Sequence, residues 1–197
     1  KARGVTHLHN HFAQASGTVA LLAARLLGRL EGGPAVVLDA AGMAGLCDRR
    51  EGLRAHAGRL VVTPHAGEMA KLLGVPREEV TADPVAAARR AAAALQAVVA
   101  MKGGCTFIVS PQGAVWSCDR GNVGLATSGS GDTLAGVIAG LAARGATPVQ
   151  ATLWGVFLHA EAGNRLARAR GPVGFLAREL LAEIPSIMAA AGEGAAG

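Results

Sequence analysis

The stretch LATSGSGDTLAGVIAG, residues 125–140, places Gly129, Ser130 and Gly131 directly before Asp132 and runs on into an amphipathic segment. Glycines accept positive φ, so the backbone N–H groups of this loop can converge on one point. The following helix adds its positive dipole end and its unpaired amides. The pattern predicts an anion hole for a phosphate at residues 129–131, with Asp132 as a general base that takes a proton from a hydroxyl. A glycine-rich turn with an aspartate cap is the alternative.

The sequence on either side of this loop alternates between strand and helix patterns. Short apolar runs at 35–40, 58–65 and 98–104 are typical of buried strands, and "TFIVS" and "AVWSC" around "PQG" predict a hairpin. Apolar periodicity and capping residues, including Asp83 before Pro84, predict helices. The predicted helices span 13–30, 67–74, 83–96, 131–143, 148–169 and 173–190. The alternation predicts an α/β fold.

Three of the predicted strands end in polar residues. Asp39, His65 and Lys102 each follow an apolar run. Ligands of open α/β sheets bind beyond the carboxyl ends of the strands, so these residues and the segment 127–132 are expected to face one crevice.

Composition narrows the class of protein. The 197 residues suit one α/β domain, and the net charge of +5 comes from scattered arginines with few aromatic residues, a pattern that disfavours nucleic-acid binding. No apolar run is long enough for a transmembrane span, and the N-terminus lacks the apolar core of a signal peptide. Cys47, Cys105 and Cys118 share no metal-like spacing and are typical of a cytoplasmic protein without disulfides.

The N-terminal "HLHNH" is the strongest candidate for a metal site. His7, His9 and His11 would share one face of an extended segment. No nearby carboxylate or cysteine completes a ligand set, and we therefore expect solvated side chains and no metal site held by the protein.

Three ordered motifs resemble one known family. "VVTPHAGEMAKLLG" (61–74), "MKGGCTFIV" (101–109) and "GNVGLATSGSGDTLAGVIAGL" (121–141) resemble signatures of the ADP/ATP-dependent NAD(P)H-hydrate dehydratases, a branch of the ribokinase-like kinases. The resemblance runs from about residue 35 to about residue 187. It implies a ribokinase-like three-layer α/β/α domain over 35–190 with a mostly parallel sheet.

The resemblance ends outside those boundaries. Residues 1–34 do not show the family's glycine-rich first strand-turn-helix or its "GPGLG" loop, so the first strands are expected to be missing or replaced by a divergent segment. Residues 191–197 are expected to form a flexible tail.

The resemblance also implies a reaction. A phosphoryl group from ADP, or alternatively ATP, would pass with Mg²⁺ to the hydroxyl of hydrated NADH or NADPH, and loss of phosphate would restore the cofactor. Asp132 would contact the substrate as the base, Gly131 the nucleotide, and His65, Asn122 and Asp39 the substrate. The nucleotide site would be formed by Lys102, Gly103, Gly104, Cys105 and Thr106, with Gly131. No nucleic-acid or membrane partner is implied.

Several alternatives stay open. Glu68 would contact substrate or metal, or would only serve its helix as a first-turn carboxylate. The fold would equally suit a hydroxymethylpyrimidine or hydroxyethylthiazole kinase, or a nucleotide-binding protein without turnover. The apolar helices 131–143 and 148–169 are expected to pack together, with Gly136 and Gly140 allowing a close approach, and a homo-oligomer is compatible with the resemblance.

Overall fold

The structure, a computed structural model of the chain, describes residues 35–43, 46, 53 and 56–193, and these contain one five-stranded sheet. Its strands, in spatial and chain order, are β1 (Val36–Leu38), β2 (Leu60–Val62), β3 (Val98–Met101), β4 (Thr106–Val109) and β5 (Val115–Cys118). The pairs β1–β2 and β2–β3 are parallel, whereas β3–β4 and β4–β5 are antiparallel. The α/β class is confirmed, and the hairpin around "PQG" makes the described sheet mixed.

Each helix predicted within the described residues is present, and one short helix, Arg77–Ala82, was not predicted. The helices are α1 (Ala66–Leu73), α2 (Arg77–Ala82), α3 (Pro84–Leu95), α4 (Ser130–Ala143), α5 (Pro148–Arg170) and α6 (Leu180–Glu193), with 3₁₀ turns at Ala40–Met43, Val123–Ala126 and Ala177–Glu179. The Asp83 carboxylate accepts the N–H of Ala86, which is the cap that the sequence indicated.

The last helix differs most from its predicted bounds. Gly171 ends α5 with a φ of +91°, and a turn precedes the 3₁₀ segment, so α6 begins at Leu180 rather than at 173. It continues to Glu193, past the predicted start of the tail. The predicted helix 13–30, the divergent segment 1–34 and residues 194–197 lie outside the described residues.

The sheet is the middle of three layers, because successive strand residues face opposite sides. Val36, Leu38, Leu60 and Val62 pack with α1, α2 and α3, whereas Val37, Val61, Val98 and Ile108 pack with α4 and α5. The predicted α/β/α arrangement is therefore present in the described part of the chain. None of its helices combines the length and the apolar character needed to cross a membrane.

The strand ends gather the predicted site residues. The Lys102 N–H donates to the Pro64 carbonyl at 2.8 Å, and His65 and Lys102 form an isolated parallel bridge that extends β2 and β3. Asp39 directly follows β1 at the same edge. The carboxyl ends of three neighbouring strands thus meet as the alternation predicted.

The two long helices pack together, but through a different glycine than predicted. A Cβ at Gly136 or Gly140 would meet no atom within 4 Å. A Cβ at Gly155, on α5, would lie 2.5 Å from Ile138 Cγ1 and 3.4 Å from its backbone. Periodicity placed both helices correctly, yet the close approach depends on the crossing point, which the sequence pattern does not give.

We expect Gly155→Ala to lower the free energy of unfolding by about 1–3 kcal/mol, because the added methyl group overpacks the contact with Ile138. The matched control is Gly136→Ala in α4, which meets open space and should raise stability by up to about 1 kcal/mol through helix propensity. Urea unfolding of the three proteins measures both effects. Equal stability of the two variants would contradict this account of the helix contact.

Candidate active site

An ion pair lies at the centre of the strand-end crevice. Lys102 Nζ lies 2.9 Å from Asp39 Oδ1, and the Thr63 hydroxyl donates to the same oxygen at 2.6 Å. Asp39 and Thr63 are buried, and the Lys102 side chain is 21% exposed. Glu68 Oε2 lies 3.7 Å from Nζ on the other side. The ammonium is therefore fixed between two carboxylates, with Asp39 positioning it.

His65 caps α1 and also faces the crevice. Its Nδ1 accepts the N–H groups of Gly67 at 3.0 Å and Glu68 at 3.2 Å, while Glu68 Oε2 accepts the N–H of His65. This reciprocal pair is a capping box with histidine in place of the usual serine or threonine. An accepting Nδ1 leaves Nε2 protonated in the neutral ring, so His65 offers a donor to a ligand. Glu68 has the predicted capping role and also approaches Lys102, and a contact with substrate or metal stays a prediction.

The predicted anion loop forms the N-terminus of α4. Gly129 is the N-cap with a φ of +84°, a conformation that favours glycine. A Cβ on Gly131 would stand 3.2 Å from both Asp39 Oδ2 and Lys102 Nζ. The loop backbone therefore lies so close to the ion pair that a side chain at position 131 would crowd it. Asp132 lies in the first turn of α4, and a Cβ on Gly129 would stand 3.9 Å from its Oδ2.

A cavity of about 770 Å³ opens between this loop, the turn after β3 and α5. The predicted residues that line it are His65, Lys102, Gly103, Gly104, Thr106, Asn122, Ser130 and Gly131. The other predicted residues, Asp39, Cys105, Gly129 and Asp132, do not line it, although Asp39 contacts Lys102 and the other three are neighbours of lining residues in sequence. The cavity is large enough for a nucleotide-sized ligand.

Asn122 lines the cavity, and Cys105 lies between two lining residues in sequence. The Asn122 Oδ1 accepts the N–H of Gly124 at 2.9 Å, and its amide donates to Asn164 Oδ1 at 3.2 Å, so this side chain shapes the turn that leads to the anion loop. Burial and the nearby Asp119 raise the pKa of the Cys105 thiol. Cys105 therefore stays protonated at neutral pH and contributes volume rather than a nucleophile.

His159 is the cavity residue that the sequence reasoning missed. It lies on α5, and its Nε2 is 2.9 Å from Ser130 Oγ and 3.0 Å from the Ser130 carbonyl oxygen. Burial and, to a smaller extent, the charge of Lys102 together lower the pKa of His159 to about 4, against the opposing effect of the hydrogen bond to Ser130. The sequence feature that could have indicated His159 is its position as the one histidine of α5, on the buried face with Gly155, Ala162 and Gly163.

Arg120 is a second lining residue without a sequence prediction. Its guanidinium lies over the Phe157 ring, 5.6 Å from the ring centre, and 3.4 Å from Glu161. It places a guanidinium paired with Glu161 in the cavity wall.

No group of three His, Cys, Asp or Glu side chains in the described ranges could hold a metal ion. His7, His9 and His11 lie outside those ranges.

Comparison with known families gives a match over most of the chain. A family model described as NAD(P)H-hydrate dehydratase matches residues 15–186. The match begins inside the segment 1–34 and ends within α6.

Individual relatives agree with this match. The chain is 53% identical over 137 residues to an ADP-dependent (S)-NAD(P)H-hydrate dehydratase of Xanthomonas campestris pv. campestris, an alignment that covers 69% of this chain and 47% of the relative. An ADP/ATP-dependent NAD(P)H-hydrate dehydratase of Bacillus subtilis, co-crystallised with ATP and Mg²⁺, superimposes with a TM-score of 0.70 at 32% identity, over 81% of this chain and 56% of that one. The chain thus spans less than two thirds of both.

A further solved structure superimposes over a larger share of this chain. A ribokinase-like superfamily protein of Enterococcus faecalis V583 superimposes with a TM-score of 0.75 at 25% identity, over 92% of this chain and 61% of that chain. The ribokinase-like fold expected from the sequence is confirmed.

We expect the buried His159 to make stability depend on pH. An unfolded histidine binds a proton as the pH falls below about 6.5, whereas His159 in the folded protein stays neutral down to about pH 4. The contribution of His159 to the free energy of unfolding is therefore full above pH 6.5 and is lost as the pH falls. The loss between pH 7 and pH 5 is about 2 kcal/mol. Urea unfolding at both pH values measures it.

The control for this prediction is His159→Gln, which cannot titrate. Because the other histidines contribute equally to both proteins, the variant should lose about 2 kcal/mol less than the wild type over the same interval. Identical losses would show that His159 is protonated in the folded protein near its ordinary pKa.

Proposed function

Because the chain belongs to the NAD(P)H-hydrate dehydratase family, we propose that it restores NADH or NADPH from the hydrated cofactor with an adenine nucleotide as phosphoryl donor. The observation that carries this proposal is the approach of the Gly129–Asp132 loop to Lys102 at the wall of a nucleotide-sized cavity. The ring hydroxyl of the hydrate would receive the phosphoryl group, and the phosphate would then leave with the electrons of its C–O bond. Loss of a proton from the neighbouring ring carbon to water would re-form the double bond of NADH or NADPH.

The proposed nucleotide site is the turn after β3 together with the anion loop. Gly103 and Gly104 present backbone without side chains to the cavity, and Thr106 offers a hydroxyl beside them. Lys102 supplies the point charge for a phosphate, already oriented by Asp39. ADP is the favoured donor, in keeping with the name of the Xanthomonas relative.

Asp132 is the proposed base. It lies in the first turn of α4, next to Gly131, with its carboxylate near the Gly129 end of the loop that would hold the phosphoryl group. Removing the hydroxyl proton while the loop amides bind the phosphoryl oxygens couples proton transfer to phosphoryl transfer. His65, 59% exposed at the opposite wall, would donate its Nε2 hydrogen to the substrate, and Asn122 would keep the loop in shape.

Magnesium would enter with the nucleotide in this proposal. Mg²⁺ commonly binds phosphate oxygens, water and one or two carboxylates rather than a cage made by the protein. The described residues fit that mode, since they form no three-ligand cluster and Asp132 is the carboxylate within the loop. The ion would neutralise the phosphate charge. A cytoplasmic location and a homo-oligomer stay predictions from the sequence.

The decisive experiment incubates the protein with hydrated NADH, Mg²⁺ and either ADP or ATP, and follows the return of the NADH absorbance. We expect recovery that requires nucleotide and falls at least about 100-fold in Asp132→Asn, because the amide cannot accept the proton. The variant keeps the size of the side chain, and its melting temperature should stay within a few degrees of the wild type.

The same assay tests the alternatives. A stable phosphorylated product without NADH would favour a small-molecule kinase. ADP binding without turnover of either kind would favour a nucleotide-binding protein. Recovery without any nucleotide would overturn the proposal.

The loop itself is tested by Gly131→Ala. The added Cβ would stand 3.2 Å from Lys102 Nζ and Asp39 Oδ2, in the space that a phosphate needs, so ADP affinity measured by calorimetry should fall about tenfold or more. Gly136→Ala in the same helix meets open space and should bind ADP as the wild type does. Unchanged affinity in Gly131→Ala would place the phosphate elsewhere.

A further inference from the structure

His159 makes one contact whose direction can be worked out from chemistry alone. Its Nε2 lies 3.0 Å from the Ser130 carbonyl oxygen, which can only accept a hydrogen bond. Nε2 must therefore carry the hydrogen, and in the neutral ring Nδ1 does not. The same Nε2 lies 2.9 Å from Ser130 Oγ, so the hydroxyl oxygen meets a donor and not an acceptor.

This arrangement fixes the direction of the Ser130 hydroxyl hydrogen. Since Oγ turns a lone pair to His159, its own hydrogen points away from the imidazole. In the described part of the chain, His159 is the partner that the structure gives to this hydroxyl. Ser130 is 3% exposed and lines the cavity next to Gly131 and Lys102.

We propose that His159 is a positioning residue, which holds the Ser130 hydroxyl so that its hydrogen is donated to a phosphate oxygen bound in the cavity. The inference rests on the proposed function in one respect, that the loop binds a phosphate. With the opposite tautomer, the hydroxyl would donate to the ring and present lone pairs to the anion. His159 thus selects a donor over an acceptor at the centre of the loop.

The surroundings keep the ring in this state. Burial holds the pKa of His159 well below neutrality, and Lys102, the charged group that acts on the ring, disfavours a second proton. The ring is consequently neutral above about pH 5, and in the neutral ring the contact with the Ser130 carbonyl selects the Nε2–H tautomer.

The first test reads the tautomer and needs no ligand. In a ¹H–¹⁵N NMR spectrum of the imidazoles, the signal that disappears in His159→Gln identifies His159. We expect a neutral Nε2–H ring between pH 6 and pH 8. A ring protonated at Nδ1 alone would overturn the proposal, whether or not the protein is an active dehydratase.

The second test is a double-mutant cycle on ADP affinity. Ser130→Ala should weaken binding about tenfold, because it removes one hydrogen bond to a charged group. His159→Asn, whose amide is too short to reach Ser130, should have a similar effect, and the double variant should be no weaker than either single one. His159→Gln should bind within about twofold of the wild type, since its amide nitrogen reaches the position of Nε2.

The matched control is Thr152→Val, which removes a buried hydroxyl that donates to the Pro148 carbonyl at 2.7 Å on the same helix. It should leave ADP affinity unchanged even if it lowers the melting temperature. Fully additive effects of Ser130→Ala and His159→Asn would overturn the positioning role.

Failure of the proposed function gives a different result. A wild type that binds ADP but restores no NADH refutes the dehydratase proposal, while the cycle still decides the role of His159.

Discussion

The ion pair between Lys102 and Asp39 is the contact on which the crevice depends. It joins the residues that follow β1 and β3 across the end of β2, and Thr63, directly after β2, donates to the same carboxylate oxygen. Removing one partner would leave a largely buried charge without its counterpart, which typically costs about 3–5 kcal/mol. The pair also sets the space in front of α4, because Gly131 approaches both of its members. The same ion pair therefore stabilises the carboxyl end of the sheet and determines the shape of the site.

The helix ends at this edge serve the site as well as the fold. The backbone of α1 engages His65 Nδ1, and this holds the ring at the cavity wall with Nε2 3.5 Å from Glu68 Oε1. The N-cap of α4 is Gly129, which has no side chain to accept hydrogen bonds from the first amides as a serine or aspartate would. A helix that begins without a side-chain cap leaves room for an anion to take that place.

The sequence predicted the elements and the crevice because both depend on local patterns. Apolar runs ending in Asp39, His65 and Lys102 could be recognised without knowing their partners, and parallel pairing then required the three ends to meet. The contact of α4 with α5 through Gly155 depends on a helix crossing point, which periodicity does not encode. His159 lies 29 residues from Ser130 and belongs to none of the three motifs, so only the packing of the two helices brings it to the loop.

The anion loop is therefore held from two directions by separate layers of the fold. Lys102 and Asp39, at the sheet edge, limit how far Gly131 can move forward, and His159, from α5, holds both the carbonyl and the hydroxyl of Ser130 from behind. Hydrogen-bond donors that are fixed before the ligand arrives need no reorganisation when charge develops on a phosphoryl group. This preorganised stabilisation of the transition state is the larger part of what such a site can contribute to catalysis. The glycines supply the backbone shape of the loop, but its rigidity comes from residues on other elements. A glycine-rich motif without that support would have the same local sequence and a much weaker hold on a phosphate.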